Sequence, residues 1–430
     1  MEDKTQLVRA IGRWTLTALV INTIIGSGIF GLPSVIAGKL GAASVAAYLV
    51  AAAGIAIIAA CFAEVGSQFR EAGGPYLYAR VAFGRFVGMQ MGWLAWLVRL
   101  TSAAANANLF VIYLAEFWPQ AKDPAARIGV LVLLVGGLAA VNIRGIRSGA
   151  RVNNVFAAAK LVPLGIFIAT GVYFLLRSSA TIEAPLPAPP AAADWMSALL
   201  LLVFAYGGFE SALMPMGEAK DPRRDAPFAL FAALAVITVV YTLIQVVVVG
   251  TLEDPGSTDR PLATAARVFL GPAGAAMISA GALISVYGYL SGQFTIAPRL
   301  TYAFAEQRDF PALFGAVHSR YRTPHVSISV YTALVLALAI AGSFQWNAVL
   351  SAVARLFTYG VVCAGLLVLR KRNPSADAFR LPAAWLFVLL GIAFCVVLVT
   401  GMGKWELVIV AVTALVAAVN WLWARRIPAP

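Results

Sequence analysis

Charge is what this chain has least of. Only 12% of its 430 residues are Asp, Glu, Lys or Arg, against about 25% in an ordinary soluble domain. With 61% hydrophobic residues, a soluble fold of this length cannot hide its apolar surface, so the solvent it suits is lipid. Histidine is nearly missing and cysteine occurs three times. Cys61, Cys363 and Cys395 all sit inside apolar runs, which argues against a disulfide framework or a metal cluster. A membrane-embedded enzyme gathers catalytic His, Asp, Glu or Cys at one depth. No such gathering, metal-ligand spacing or nucleophile motif is seen, and His318 and His325 share one polar connection. Neither an enzyme nor a cofactor is expected. The connections are too short to hold a separate soluble domain, and the first apolar run is too long for a signal peptide and lacks its cleavage site.

What the chain has is a dozen apolar runs, each near the ~20 residues that carry an α-helix across the hydrocarbon core. They lie at 15–37, 44–67, 86–117, 127–142, 153–177, 195–216, 228–252, 272–304, 325–343, 348–369, 383–401 and 405–424. The expected fold is an all-α integral membrane protein of twelve transmembrane helices, one membrane domain over 1–430. A net charge of +13 would suit nucleic acid, but the positions of the basic residues argue otherwise. If the N-terminus is inside, 22 of the 32 Lys and Arg fall in inner segments and seven in outer ones, with Arg99, Lys160 and Arg355 inside runs. This is the positive-inside pattern, and it predicts both termini on the cytoplasmic side of the cell membrane.

Two runs carry glycine clusters at their centres. The first reads Ile24-Ile25-Gly26-Ser27-Gly28-Ile29-Phe30 and the sixth Phe204-Ala205-Tyr206-Gly207-Gly208-Phe209-Glu210. They are five runs apart, and the third and eighth runs, also five apart, are both unusually long. A repeated unit of five crossings enters the membrane from the opposite side the second time. The pattern predicts an inverted repeat, 14–177 and 195–369, with 383–424 outside it, and matched interrupted runs point to a transporter's binding site. Close helix packing at small residues is the competing reading of each cluster.

Broken backbone at mid-membrane survives only where it is buried or lines a cavity. Each break ends one half-helix in free carbonyls and starts another in free N–H groups, with partial charges to match. A zwitterion fits both ends. Its carboxylate can accept from the amides around Gly26, Ser27 and Gly28, and its ammonium can donate to carbonyls near Ile24, Phe204 and Tyr206. Gly207 and its neighbours allow a substrate to approach the main chain. The inference selects amino-acid-like solutes and is blind to their side chain.

These residues also carry a resemblance. GSGIF at 26–30, GGPYLYARVAFG at 73–84, FAYGGFES at 204–211 with GEAKDPRRDAP at 217–227, and SVYGYLSGQFTIAPRLTYAFAEQRDFP at 285–311 resemble, in order, motifs of the amino acid–polyamine–organocation (APC) superfamily of permeases. The resemblance covers about residues 12–325. It implies a five-plus-five inverted-repeat fold (LeuT-like) with two added helices and alternating access. It also implies that Phe204 is an aromatic gate over bound substrate and that Tyr287 lines the pocket. In sodium-independent members a lysine on the fifth helix replaces the sodium ion of relatives. Lys160 matches that position, and Ser285 would line the same site.

Ionisable residues inside the membrane are functional candidates, because holding a charge there is costly. Lys160 lies seven residues and about 10 Å beyond Asn153. Its stem can snorkel to the interface, or desolvation can disfavour its charge so that it loads and releases a proton. Arg99 keeps its charge and is no proton carrier; it pairs with Glu64 as structure, or it helps hold a substrate carboxylate. Glu210 opens the second half of the sixth run, where it compensates a helix dipole or recognises a cationic substrate. Arg355 has no partner that the sequence suggests. Spare acids near the breaks are few, which leans toward neutral or broad amino-acid substrates.

The function expected is secondary active transport of amino acids, coupled to protons through Lys160. An amino acid/polyamine exchanger is the alternative, since a fixed charge at that site serves either. An ion channel also uses broken helices, but its filter comes from symmetric subunits or charged rings, whereas this chain shows a single pair of breaks.

Overall fold

A computed structural model describes residues 12–69, 73–145, 150–177, 190–213, 219–372 and 378–426. Lys4, Arg9, Arg70 and Arg147, counted in the charge asymmetry, lie outside the described residues, as do Gly217 and Glu218 of the loop after the sixth run. The described regular structure is helical. In chain order the helices are α1 (Arg13–Ile24), α2 (Gly28–Leu40), α3 (Ser44–Ser67), α4 (Gly74–Phe83), α5 (Arg85–Leu114), α6 (Pro124–Ile143), α7 (Ala150–Arg177), α8 (Ala192–Tyr206), α9 (Phe209–Ala212), α10 (Pro222–Thr251), α11 (Pro261–Glu306), α12 (His325–Ala341), α13 (Phe344–Arg372), α14 (Ala384–Val399) and α15 (Lys404–Ala424).

Among the described residues nine helical stretches are apolar and long enough to cross a membrane, the shortest being Lys160–Arg177 with 18 residues. Twelve crossings are expected from sequence, and the difference of three comes from one merged pair of runs and two short helices. The stretch Gly28–Ser67 spans the second half of the first run and all of the second. The helices α12 and α14 have 17 and 16 residues, about 25 Å at ~1.5 Å per residue, against ~30 Å of hydrocarbon. The eighth run, expected from 272, lies in a helix that starts at Pro261, with a kink at Gly271 (φ 70°) just before Pro272. That φ belongs to the left-handed region that glycine tolerates.

Packing is organised around α5 and α13, which lie side by side; α10 packs on α3 and α1, and α11 on α7 and α5. The outer surface is apolar, with Leu133, Leu176, Trp385 and Trp405 largely exposed, as suits contact with lipid. At the end of the bundle that carries Arg80 and Arg85, the short helix α4 is tied to the segment after α11. The buried carboxylate of Asp309 accepts from Arg85 Nε (2.8 Å), from Arg80 Nη1 (3.0 Å) and from the Tyr76 hydroxyl, and the Asp309 carbonyl accepts from Asn420 of α15 (2.5 Å). Burial and the Asp309 carboxylate hold the Tyr76 phenol above its usual range.

Candidate functional site

The first and sixth runs are both interrupted in the structure. After α1 the chain leaves helical geometry at Ile25 (ψ 94°). The ladder of α2 begins with Phe30 and Gly31 bonding to the Ser27 carbonyl, so the amides at 26–29 precede it. After α8 the chain is extended at Gly207 (φ −73°, ψ 158°), and Gly208 sits at φ 120°, where an L side chain is strained. The two breaks lie against each other. A β-carbon on Gly208 would stand 2.5 Å from the Thr23 carbonyl oxygen, and one on Gly28 would stand 2.9 Å from Ala205 Cα. Each second half-helix thus starts on the end of the other broken helix, and only the missing side chains permit it.

The carbonyl end of α1 is occupied by side chains. Lys160 Nζ donates to the Asn22 carbonyl at 2.7 Å and to the Ile25 carbonyl at 3.0 Å. This places a cation on the negative end of a half-helix and leaves the ammonium buried beside the break. The Tyr241 hydroxyl of α10 lies 3.3 Å from both the Ile24 and the Ala205 carbonyls, one on each break. Having one proton, it is shared between them. The Tyr206 hydroxyl donates to the Tyr48 carbonyl at 3.1 Å.

A cavity of about 180 Å³ adjoins the breaks, smaller than the ~300 Å³ at which drug-sized ligand sites begin. Its wall includes Asn22 and Thr23 of α1; Gly208, Glu210 and Ser211 at the second break; Arg99 and Ser102 of α5; Ser285 and Tyr289 of α11; Lys160; and Arg355 and Tyr359 of α13. The structure therefore brings Lys160, Ser285, Arg99 and Glu210 to one space. The Ser285 hydroxyl is buried there with no hydrogen-bond partner among the described residues. Ile24, Gly26, Ser27, Gly28, Phe204, Tyr206 and Gly207 lie at the breaks, but all are buried and none is among the described lining residues.

Three expectations are corrected. Tyr287, implied as a pocket residue, is 40% exposed and away from the cavity wall. Tyr289 lines it instead, because two residues turn a helix by about 200° and so change faces. Its ring approaches Gly26, 3.8 Å from where a β-carbon would stand. Glu64 does not pair with Arg99. It accepts from Arg370 at 2.5 and 2.6 Å and from the Leu381 amide at 2.8 Å, close to the end of α3, whereas Arg99 is about 21 Å along α5 from Arg85. Arg355 does have a partner. Its Nη1 forms an ion pair with Glu210, whose other oxygen accepts from the Gly208 amide and the Tyr359 hydroxyl, each at 2.9 Å. The bare Gly207 makes room for this guanidinium, whose Cζ would lie 2.7 Å from a β-carbon there. Glu210 thus caps the second half-helix and neutralises Arg355 together.

Aromatic side chains also pack at the second break. The Phe204 and Phe344 rings meet edge to face at 6.2 Å, and Phe344 and Leu109 crowd the bare face of Gly31. Beyond Phe344 lies a broad depression of about 730 Å³, flanked by Asn108, Arg127, Trp346 and Trp405.

Comparison with known proteins agrees with this architecture. Over residues 11–424 the chain matches the sequence pattern of the family described as amino acid permease. It is 27% identical to the serine/threonine exchanger SteT of Bacillus subtilis, covering 90% of this chain and 89% of that protein. It is 27% identical to the methylthioribose transporter of the same organism, covering 90% and 87%, and 27% identical to the mouse Asc-type amino acid transporter 1, covering 87% and 72%. The family and these relatives are transporters, not enzymes. With two broken helices meeting beside a buried cavity and a match that spans nearly its whole length, the chain belongs to the amino acid permease family, within the APC superfamily.

Proposed function

We propose that this protein carries amino acids across the cell membrane by alternating access, with twelve crossings arranged as a five-plus-five inverted repeat. The observation that carries the proposal is the reciprocal meeting of the two breaks, Gly28 on Ala205 and Gly208 on Thr23, beside a cavity whose wall includes Lys160 and Glu210. Two spans related by an inverted repeat would meet in this crossed way. The short helices α12 and α14 complete the twelve crossings, and the excess of basic residues on one side supports cytoplasmic termini.

In this reading the substrate's α-carboxylate accepts from the amides of Gly26, Ser27 and Gly28, and its ammonium donates to carbonyls near Ile24, Phe204 and Tyr206. Buried break residues fit a closed arrangement, in which Phe204 and Phe344 seal one side. Lys160, held on the Asn22 and Ile25 carbonyls, couples a proton to the movement of α1, with Ser285 in the same space. When the lysine loses its proton it keeps N–H donors but loses its positive charge on the negative end of α1, so its hold there weakens and protonation and helix position are linked. The relative named as a serine/threonine exchanger supports obligate exchange as the second reading.

One reconstitution separates these. Purified protein in proteoliposomes should take up labelled L-serine or L-alanine under an inward proton gradient with no internal amino acid. Uptake only when unlabelled substrate fills the vesicle would assign exchange. Current without any substrate counterflow would remove the carrier mechanism altogether.

A further inference from the structure

One seam of the bundle joins the cavity at the breaks to the broad depression beyond Phe344. On α5, Ser102 lines the cavity and Asn108 the depression, six residues or about 9 Å apart. On α13, Arg355 lines the cavity, and Phe344 and Trp346 line the depression. The two helices run antiparallel along this seam. At the cavity Ser351 and Arg355 reach Ser102, and towards the depression Phe344 and Leu109 meet over the bare face of Gly31.

Between the two spaces the seam carries a pair of amides. Asn106 lies one helical turn beyond Ser102, and Asn347 one turn before Ser351, so they stand at the same level on facing helices. Both are buried, at 1% and 0% exposure. Each spends its nitrogen on main chain. Asn106 Nδ2 donates to the Ser102 carbonyl at 2.8 Å, and Asn347 Nδ2 donates to the Leu338 and Ser343 carbonyls at 3.1 and 2.9 Å. Neither Oδ1 has a hydrogen-bond partner among the described residues. Polar side chains that glue membrane helices bond across the interface, as Ser102 and Ser351 do at 2.8 Å. The two amide oxygens do not. Burying an acceptor without a donor is costly, and polar groups inside a membrane protein mark solute pathways.

We propose that Asn106 and Asn347 form a transit site that receives the substrate's α-ammonium as it passes between the depression and the cavity. An ammonium has three donors and no acceptor, so it can serve both amide oxygens at once. These oxygens are neutral, which suits a station that must bind well enough to admit the solute and weakly enough to release it. The proposal rests on the amino acid reading above and adds a site outside the pair of breaks.

The test compares passage with equilibrium binding, using labelled L-alanine and the full-length protein. Asn106→Leu keeps the side-chain size and removes the free oxygen, and the nitrogen it loses bonds only within its own helix. In proteoliposomes kcat/KM for uptake should fall on the order of tenfold, the scale of one hydrogen bond to a charged group. Calorimetry should give an unchanged dissociation constant, and the melting temperature should hold or rise. Asn347→Leu should act alike on uptake but melt lower, because its nitrogen ties the α12–α13 joint; Asn106→Leu therefore decides. Full uptake in Asn106→Leu would overturn the transit site and leave the amino acid reading standing. Affinity lost in step with uptake would overturn it by placing Asn106 in the binding cavity, and a lower melting temperature would overturn it by assigning Asn106 to the fold. Unaltered protein that binds neither L-alanine nor any other amino acid would sink both readings.

Discussion

Replacing Gly208 with alanine tests whether the two breaks truly press on each other. At φ 120° an L side chain costs about 1–2 kcal/mol. The added carbon would also stand 2.5 Å from the Thr23 carbonyl oxygen and 3.1 Å from its carbon. Both are backbone atoms that cannot rotate aside, so relief requires shifting a half-helix, at about 1–3 kcal/mol. Together ~2–5 kcal/mol weighs against the conformer in which the breaks touch, a bias of roughly 30-fold or more at ~1.4 kcal/mol per decade. At ~2.1 cal/mol/K per residue over 430 residues, the melting temperature should fall by about 2–5 °C. Membrane segments that keep their helices on unfolding release less entropy, which enlarges the shift. Gly137→Ala is the control, because it lies in α6 with nothing within 4 Å, and alanine there should be neutral or stabilising. Melting curves in detergent and uptake in proteoliposomes read both. If Gly208→Ala melts and transports like the unaltered protein, the close contact of the breaks is wrong.

Lys160→Ala removes the donor to the Asn22 and Ile25 carbonyls. It should abolish accumulation driven by a pH gradient while substrate binding persists; gradient dependence that survives the change would remove the proton role. Glu64→Gln should destabilise the fold by up to ~3 kcal/mol through loss of the Arg370 pair, read as a lower melting temperature, and leave substrate affinity unchanged, as read by titration calorimetry. The Tyr76 phenol ionises less readily in the folded state than in the unfolded one. Its contribution to stability is therefore complete below about pH 10 and fades as pH rises beyond that. Thermal melts between pH 8 and 11 should show an alkaline decline that is shallower in Tyr76→Phe.

Residues near one another in the chain were the legible ones. The breaks could be read from Gly26, Gly28, Gly207 and Gly208, because unusual backbone needs glycine at the spot itself. Lys160 stood out because a charge inside an apolar run has few explanations. What sequence could not supply was pairing across distance. Glu210 and Arg355 are 145 positions apart, and neither names the other. Glu64 offered itself to Arg99 only because both looked unpartnered, whereas its actual partner, Arg370, sits in a basic cluster that already had an explanation in orientation. The slip from Tyr289 to Tyr287 has a different origin. Two tyrosines flank Gly288, and motif alignment selects one of them without knowing the rotation of α11. Tyr241 carried no signal at all: it sits in an uninterrupted apolar helix, and its importance comes only from the two carbonyls that it reaches.

Those two carbonyls bear on how the breaks move. Gly28 rests on Ala205 and Gly208 on Thr23, so neither broken helix can straighten or tilt without displacing the other. The Tyr241 hydroxyl, shared between the Ile24 and Ala205 carbonyls, sits where that contact would open. Lys160 grips the same end of α1 from the opposite chain neighbourhood. In the proposed function, a substrate ammonium entering here would meet carbonyls that already have donors, and it would gain only by replacing or sharing them. Where the ammonium replaced a donor, binding would exchange hydrogen bonds instead of adding them, and each exchanged bond would loosen α1 from α7 or from α10. Substrate and proton would then act on one mechanical element, the end of α1, which is a physical route by which occupancy of the cavity can be felt at the gate.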